Sequence, residues 1–492
     1  VTEQTRQTIA AVLTACAVAI ALLNRPLLQM DTLIWGPADP WNNGDFLGAH
    51  WLFWALSQPG DAAALLSWPW GEPSLISAFP NLLDAYLLGT IITSSDFPLG
   101  WNVMMVGHHL LNISATVVLA RAAGARGLHA AAAGALVAAT PIMLHEHALG
   151  HTLTAAVWPG LFGLAALMAK REIQAGLWIG LQGLVYLYTG LAVGLVALLV
   201  RPCRGLLTAI LVMVPYLWLL VPQLEAASAM GPPDGYTSLA VDSLWGGSGQ
   251  FHIRLQPLLG LGVAALFLGP KAYGRARTRL LVAAVCLLAV ALGPELFLHR
   301  GEEPVSGSPL ALIFQVPGLT RMHHPIRLAM LAVPLLAVAS ALAFHRRRSV
   351  WALSIIGLCG LNWKTIDNTA AWSASADIPG HEAGAWLAEH ASAVVDLGSD
   401  SMEALSLQTV HGKPILSGFH PRSQPRPGVD RSVYERLSRW SMGEHQPTLP
   451  ARLKQLGYSH VVVVDRGPGK TPDAAAVRSQ LGPPVFPGVF AL

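Results

Sequence analysis

The chain has 492 residues, 53% of them hydrophobic and 12% charged, with a mean hydropathy of +0.48. That is more apolar surface than one water-soluble core can hide. The net charge of +3 and the scatter of the basic residues in short clusters exclude a nucleic-acid partner, and four cysteines in or beside apolar runs suggest neither a disulfide framework nor a CxxC metal site.

Apolar runs long enough to cross a bilayer, roughly 17 to 25 residues each, recur from Ala10 to about Leu361. The first, "IAAVLTACAVAIALL", has the look of a signal-peptide core. No A-x-A cleavage site precedes "NRPLLQM", so it is expected to stay as a first helix.

The loop that follows, Asn24 to Gly100, is too long for a plain connector and should carry structure of its own. In "WGPADPWNNGDFLGAHWLFW", Leu47, Trp51 and Trp54 share one helical face and Asp45 lies on another. This predicts an interfacial helix, with Trp35, Trp41, Trp51, Trp54, Trp68 and Trp70 holding the loop against the outer membrane surface. Asp39 in "ADPW" and Asp45 in "NNGD" read either as turn and cap residues or as carboxylates kept for chemistry.

Basic clusters at Arg121, Lys170, Arg201, Lys271 and His345 mark cytoplasmic loops by the positive-inside rule, which puts the N-terminus in the cytoplasm and the long loops outside. One stretch conflicts with this scheme. "GLWIGLQGLVYLYTGLAVGLVALLV" has the length of one span but joins two basic clusters. Two short helices meeting at Tyr186 to Gly190 near the outer face resolve the conflict, provided protein or a wet cavity covers the break; a single span with one misassigned cluster is the other reading. The paired reading gives about eleven spans.

Outward turns carry the unusual polar residues. "TPIMLHEHALGHTLTAAVWPG" places His145, Glu146, His147 and His151 between two spans, and H-x-H-x3-H has metal-ligand character, although a solvated turn explains it too. "VPGLTRMHHPIRLAMLAVPLL" sets Arg321, His323, His324 and Arg327 just before a late span. Arginine outside defies the charge bias, so these residues either bind an anion as guanidinium forks or snorkel to headgroups.

From about Trp372 the chain reads as water-soluble. "EAGAWLAEHA", "AVVDLG", "MEALSLQTVH", "LPARLKQLGY" and "HVVVVDR" alternate helical and strand patterns, which predicts a small α/β domain with a buried sheet. The expected organisation is a membrane domain over 1–371, including the loop 24–100, and an outward α/β domain over 372–492.

Taken in order, the acidic first outer loop, the "GH…WPG" segment, the "YLYTG" break, the "R-x-x-x-P-x-R" entry to a late span and the tail with "QTVHGKPILSG" resemble the GT-C class of membrane glycosyltransferases, in particular its poorly characterised bacterial group. The resemblance implies a polytopic α-helical protein of the bacterial cytoplasmic (inner) membrane that transfers a sugar from a polyprenyl-phosphate-linked donor to an acceptor outside, with inversion. It implies a catalytic carboxylate in the first outer loop, Asp45 with Asp39 as second choice. It also implies a donor-phosphate site at Arg321, Arg327 and His324, and a substrate groove involving His151, Tyr188 and His147. No adjacent Asp-Glu or Asp-Asp pair is present, which leaves open a divalent metal such as Mg or Mn, for which His145, His147 and His151 are the weak candidates. Membrane lipid is an expected partner, and the tail is a candidate surface for protein partners. The rival reading is a non-catalytic subunit or scaffold that has kept the architecture.

Overall fold

The computed structural model describes residues 2–23, 27, 29–31, 33–35, 50–55, 58, 62–66, 97–148, 151–202, 204–229, 274–295, 298, 309–315, 324–344, 372–374, 380–397, 401–416, 431–463 and 474–492. These fall into two compact units. The first takes its described residues from 1–37 and 101–372, and the second from 38–79, 85–100 and 373–492.

The first unit is a helical bundle built on small residues. Helix α1, Glu3–Leu23, buries Ala11, Ala15, Ala19 and Leu23, a stripe spaced by four. This stripe packs on α3, Gly127–Ala138, whose own residues are almost all alanine, glycine and leucine. At Gly134 a side-chain carbon would lie 2.8 Å from the Ala15 Cβ and 2.7 Å from Val117 of α2, Phe97–Ala122. Helices in lipid gain little from the hydrophobic effect against each other, so close approach through small residues is what holds them.

Among the described residues, three helical segments are long and apolar enough to cross a bilayer: Glu3–Leu23, Leu99–Ala122 and Pro325–Ala343. Shorter apolar helices cover Gly127–Ala138, Trp158–Met168, Leu187–Val200 and Gly205–Trp218. Bare apolar faces accompany them, with Leu13, Leu195, Leu207, Leu211 and Trp218 all exposed. Such surface suits lipid contact and marks a membrane protein. The expected total of about eleven includes stretches outside the described residues.

The "YLYTG" stretch breaks as the sequence predicts. Helix α7, Glu172–Val185, and α8, Leu187–Val200, have fourteen residues each, and Tyr186 between them is extended at φ −155° and ψ 114°. Each spans about 21 Å, short of the roughly 30 Å hydrocarbon core. They pack on each other so tightly that a carbon added at Gly190 would meet the Gly183 Cα at 2.5 Å. The same helix meets α9, Gly205–Ala229, through Gly176, Gly180 and Gly183. A Cβ at Gly176 would fall 2.0 Å from the Gly205 carbonyl oxygen.

The most enclosed element of this unit is the late span. A 3-10 turn, Pro325–Leu328, runs into α11, Ala329–Ala343, every residue of which is buried, between α3 and α10, Gly274–Ala291. A helix apolar all round belongs in the middle of a bundle.

The second unit holds a three-stranded sheet. Strand β1, Val394–Asp396, pairs in parallel with β2, His460–Val462, which pairs antiparallel with β3, Val489–Ala491. Val395, Val461, Phe490, Trp440, Leu453 and Tyr458 share its core, so the expected α/β pattern is present. Part of the opening loop, expected with the membrane domain, is in this unit instead. Trp51 is fully buried and its indole N–H donates to Gln408 Oε1 at 2.8 Å, while the Ile415 N–H donates to the Leu65 carbonyl. The interfacial role expected for Trp51 is therefore corrected: its ring is core, and its one donor is satisfied by a side-chain amide of α13, Ser401–His411.

Candidate functional site

The polar residues of the first unit gather around the connection between α3 and α6, Trp158–Met168. After α3 the chain makes α4, Pro141–Ala148, then a single helical turn, Thr152–Ala155. Two buried amides brace this connection. Asn112 of α2 donates to the Ala155 carbonyl at 2.6 Å and accepts from the Val157 N–H at 3.0 Å. Gln182 of α7 donates to the Ala156 carbonyl at 2.9 Å and accepts from the Gly160 N–H at 3.0 Å. Irregular backbone surrounded by apolar helices needs such partners, because an unpaired buried amide costs about 1–3 kcal/mol.

Glu146 is the centre of the cluster. It is 4% exposed, and its Oε2 accepts from His151 Nδ1 at 2.9 Å and from Thr154 Oγ1 at 2.6 Å. Burial works against the charged carboxyl. The neighbouring His151, Arg327 and Thr154 outweigh that penalty and hold it well below the usual carboxylate range. Arg327 is half-buried in the 3-10 turn that opens the late span, and Tyr186 is the residue at the helix break. Tyr186 in turn meets Tyr188 edge to face, with ring centroids 5.5 Å apart.

A second buried group adjoins the first. Trp35 stacks on His147 with centroids 5.4 Å apart and planes at 8°, and His109 packs edge-on to both rings. Asn102 fastens this group: its Oδ1 accepts from the Trp35 backbone N–H at 2.8 Å, and its Nδ2 donates to the Met30 carbonyl at 2.8 Å. The membrane-surface role expected for Trp35 is thus also corrected. Its ring is 0% exposed and packed on imidazoles, because the bundle offers a drier and better-matched surface than the headgroup region.

Of the residues singled out in the sequence, His147, His151, His324, Arg327 and Tyr188 lie among those described. His151 bonds Glu146, and Tyr188 meets Tyr186 at the helix break. His324 caps the 3-10 turn, its carbonyl accepting from the Arg327 N–H at 3.1 Å. His147 lies under Trp35 and bonds the Met143 carbonyl through Nδ1. Asp39, Asp45, Arg321 and the side chain of His145 lie outside the described residues. Thr154 is a site residue that the sequence reading did not name; Glu146 was named in the turn and Tyr186 at the break, neither with a role at a shared site. The signal for Glu146 was a carboxylate in an apolar turn with a threonine eight residues on.

The donor set for a divalent metal was tested on the same geometry. His147 Nδ1 and His151 Nδ1 point to different partners, a carbonyl and a carboxylate. Among the described residues no group of three His, Cys, Asp or Glu side chains is placed to hold a metal ion.

No family model matches the chain, and no curated protein matches it in sequence. Solved structures do match. The arabinofuranosyltransferase AftD from Mycobacteria superposes with a TM-score of 0.62 at 14% identity, over 97% of this chain and 36% of that one. The archaeal oligosaccharyltransferase AglB from Archaeoglobus fulgidus, solved with an inhibitory peptide and a dolichol-phosphate, superposes with a TM-score of 0.50 at 12% identity, over 93% of this chain and 69% of that one. This chain therefore spans little more than a third of AftD. At these identities the likeness shows the fold alone, one shared with these two transferases.

Proposed function

We propose that this chain transfers a sugar from a polyprenyl-phosphate-linked donor to an acceptor hydroxyl at the outer face of the bacterial cytoplasmic membrane. The observation that carries the reading is Arg327, a half-buried cation in the 3-10 turn at the head of an apolar helix whose every residue is buried. A phosphate that arrives on a lipid tail needs a cation at that kind of boundary. The fold neighbours support it: one is named as an arabinofuranosyltransferase and the other was captured with dolichol-phosphate.

In the proposed reaction the acceptor oxygen attacks the anomeric carbon as its proton passes to a first-loop carboxylate, Asp45 or, second, Asp39. The bond from the anomeric carbon to the phosphate oxygen breaks, and its electron pair leaves with the polyprenyl phosphate. Arg327, with Arg321 and His324, stabilises the charge on that leaving group. His151 orients donor or acceptor beside it, and in-line displacement inverts the anomeric centre. The α/β unit is assigned to the outer side.

In reconstituted membranes, Arg327→Ala is expected to raise the donor concentration needed for half-maximal transfer while leaving that for the acceptor unchanged. Equal changes for both substrates, or none, would remove Arg327 from donor binding.

A further inference from the structure

Helix α10 opens on Gly274 and carries Arg275, Arg277 and Arg279 in its first two turns, with no acidic residue in the first. Cations are unfavourable there, because the first four N–H groups of a helix have no partner within it and leave that end partly positive. Arg275 and Arg279 are exposed, as long basic side chains near a membrane surface ordinarily are. Arg277 is not. It heads the buried face of the helix, in register with Leu280, Leu281, Ala284 and Leu288, and is 8% exposed. Its Nε and Nη1 are both enclosed, and neither has a hydrogen-bond partner among the described residues. Charged donors left unpaired in apolar surroundings cost more than neutral ones, so the missing acceptor is sought outside the chain.

The neighbourhood selects the charge of that acceptor. Arg279 Nη1 donates to the Val200 carbonyl at 2.5 Å, which brings the start of α10 against the end of α8, where Arg201 and Arg204 follow. Glu172, at the start of α7, serves both of these: its Oε1 lies 3.8 Å from Arg201 Nη2, and its Oε2 accepts the Arg204 backbone N–H at 3.3 Å. Five arginines thus share this end of the bundle with that carboxylate. Arg201 belongs to a cluster that the positive-inside rule assigns to the cytoplasm, the face opposite the sugar transfer.

We propose that Arg277 anchors a binding site for an anionic phosphate group at this end of the bundle, carried by an acidic phospholipid or free in solution. Phosphate oxygens are acceptors that a guanidinium bonds at short range with charge assistance, and basic pockets between membrane helices suit such headgroups. A zwitterionic headgroup is a poor substitute, because its ammonium meets the surrounding arginines. Nothing in the proposal depends on the transfer reaction or on Arg327.

The test uses the full chain in detergent and follows by anisotropy its binding of fluorescent phosphatidylglycerol and of the matching phosphatidylcholine. The readout is the ratio of the two dissociation constants, with excess inorganic phosphate as competitor. Wild type, Arg277→Gln and Arg126→Gln are compared, the last removing an exposed arginine at the start of α3 and the same net charge. Wild type is expected to prefer phosphatidylglycerol about tenfold, a preference lost in Arg277→Gln and kept in Arg126→Gln. Displacement of the lipid by inorganic phosphate assigns the site to free phosphate, and resistance to it assigns the site to the headgroup. Equal affinities in wild type, an undiminished preference in Arg277→Gln, or an equal loss in Arg126→Gln overturns the proposal. Should Arg277→Gln fail to accumulate, Arg277→Lys decides: it keeps the charge without the planar guanidinium and is expected to lose about threefold, whereas a preference equal to that of wild type contradicts the assigned role.

Discussion

The hydrogen bond between Glu146 Oε2 and His151 Nδ1, 2.9 Å long and almost wholly enclosed, joins the end of one short helix to the start of the next. The His151 backbone N–H also donates to the Glu146 carbonyl at 3.1 Å. Thr154 adds the third bond, from its hydroxyl to the same carboxylate oxygen. Thr154→Val keeps the volume and removes that donor. It is expected to cost about 1–3 kcal/mol, seen as a lower unfolding midpoint in detergent, whereas Thr154→Ser should cost much less. Equal effects of the two would show that packing, rather than the hydroxyl, matters there.

Acid should spare this bond for longer than an ordinary ion pair. Because the folded carboxyl titrates below its usual range, the stabilisation is present above the unfolded value of about 4.3 and is lost only as pH falls through the lower folded value. Amide exchange at Thr154 and Ala155 is expected to stay slow from neutral pH down to about pH 4, after correction for intrinsic rates. Deprotection already at pH 6 would contradict a charged Glu146.

The α/β unit should weaken at a higher pH. Burial, and then the charge of Lys413, pushes His411 down to about 3, and its Nδ1 accepts from the Lys413 N–H at 2.9 Å, a bond only the neutral ring can accept. The unfolded chain binds a proton near pH 6.5 and the folded one does not. Stability from this group is therefore complete above about 6.5 and declines as pH falls toward 3. Exchange protection of Val461 and Val462 should fall over that window in the wild type and much less in His411→Gln.

The glycine seam between α7 and α9 should be intolerant of any side chain. Gly176→Ala places a carbon 2.0 Å from the Gly205 carbonyl oxygen, a backbone atom that cannot rotate away. The helices must separate, at about 1–3 kcal/mol or more, while Gly194→Ala, with nothing within 4 Å, should be neutral or mildly stabilising. Comparing the two unfolding midpoints checks this.

How much of this was legible beforehand depended on whether the cause was local. The break at Tyr186 was readable because a run of single-span length joined two basic clusters, a conflict that a pair of short helices settles. The strands Val394–Asp396 and His460–Val462 were readable from runs of valine. Trp35 and Trp51 were misjudged because hydropathy cannot separate an indole at a lipid interface from one enclosed by protein. Their partners, His147 and Gln408, are distant in sequence. Glu146 was named without a role of its own, because beside three histidines it looked like part of a wet turn.

The central claim, transfer from a lipid-linked donor, is tested most directly by counting the leaving group. Membranes carrying the chain would be supplied with glycosyl polyprenyl phosphates extracted from bacterial lipid, and free polyprenyl phosphate would be measured by mass spectrometry. The account predicts release by the wild type and background release by Asp45→Asn at equal protein level. Equal release by both proteins would contradict the assigned base, and background release by the wild type itself would leave the chain as a non-catalytic member of the fold.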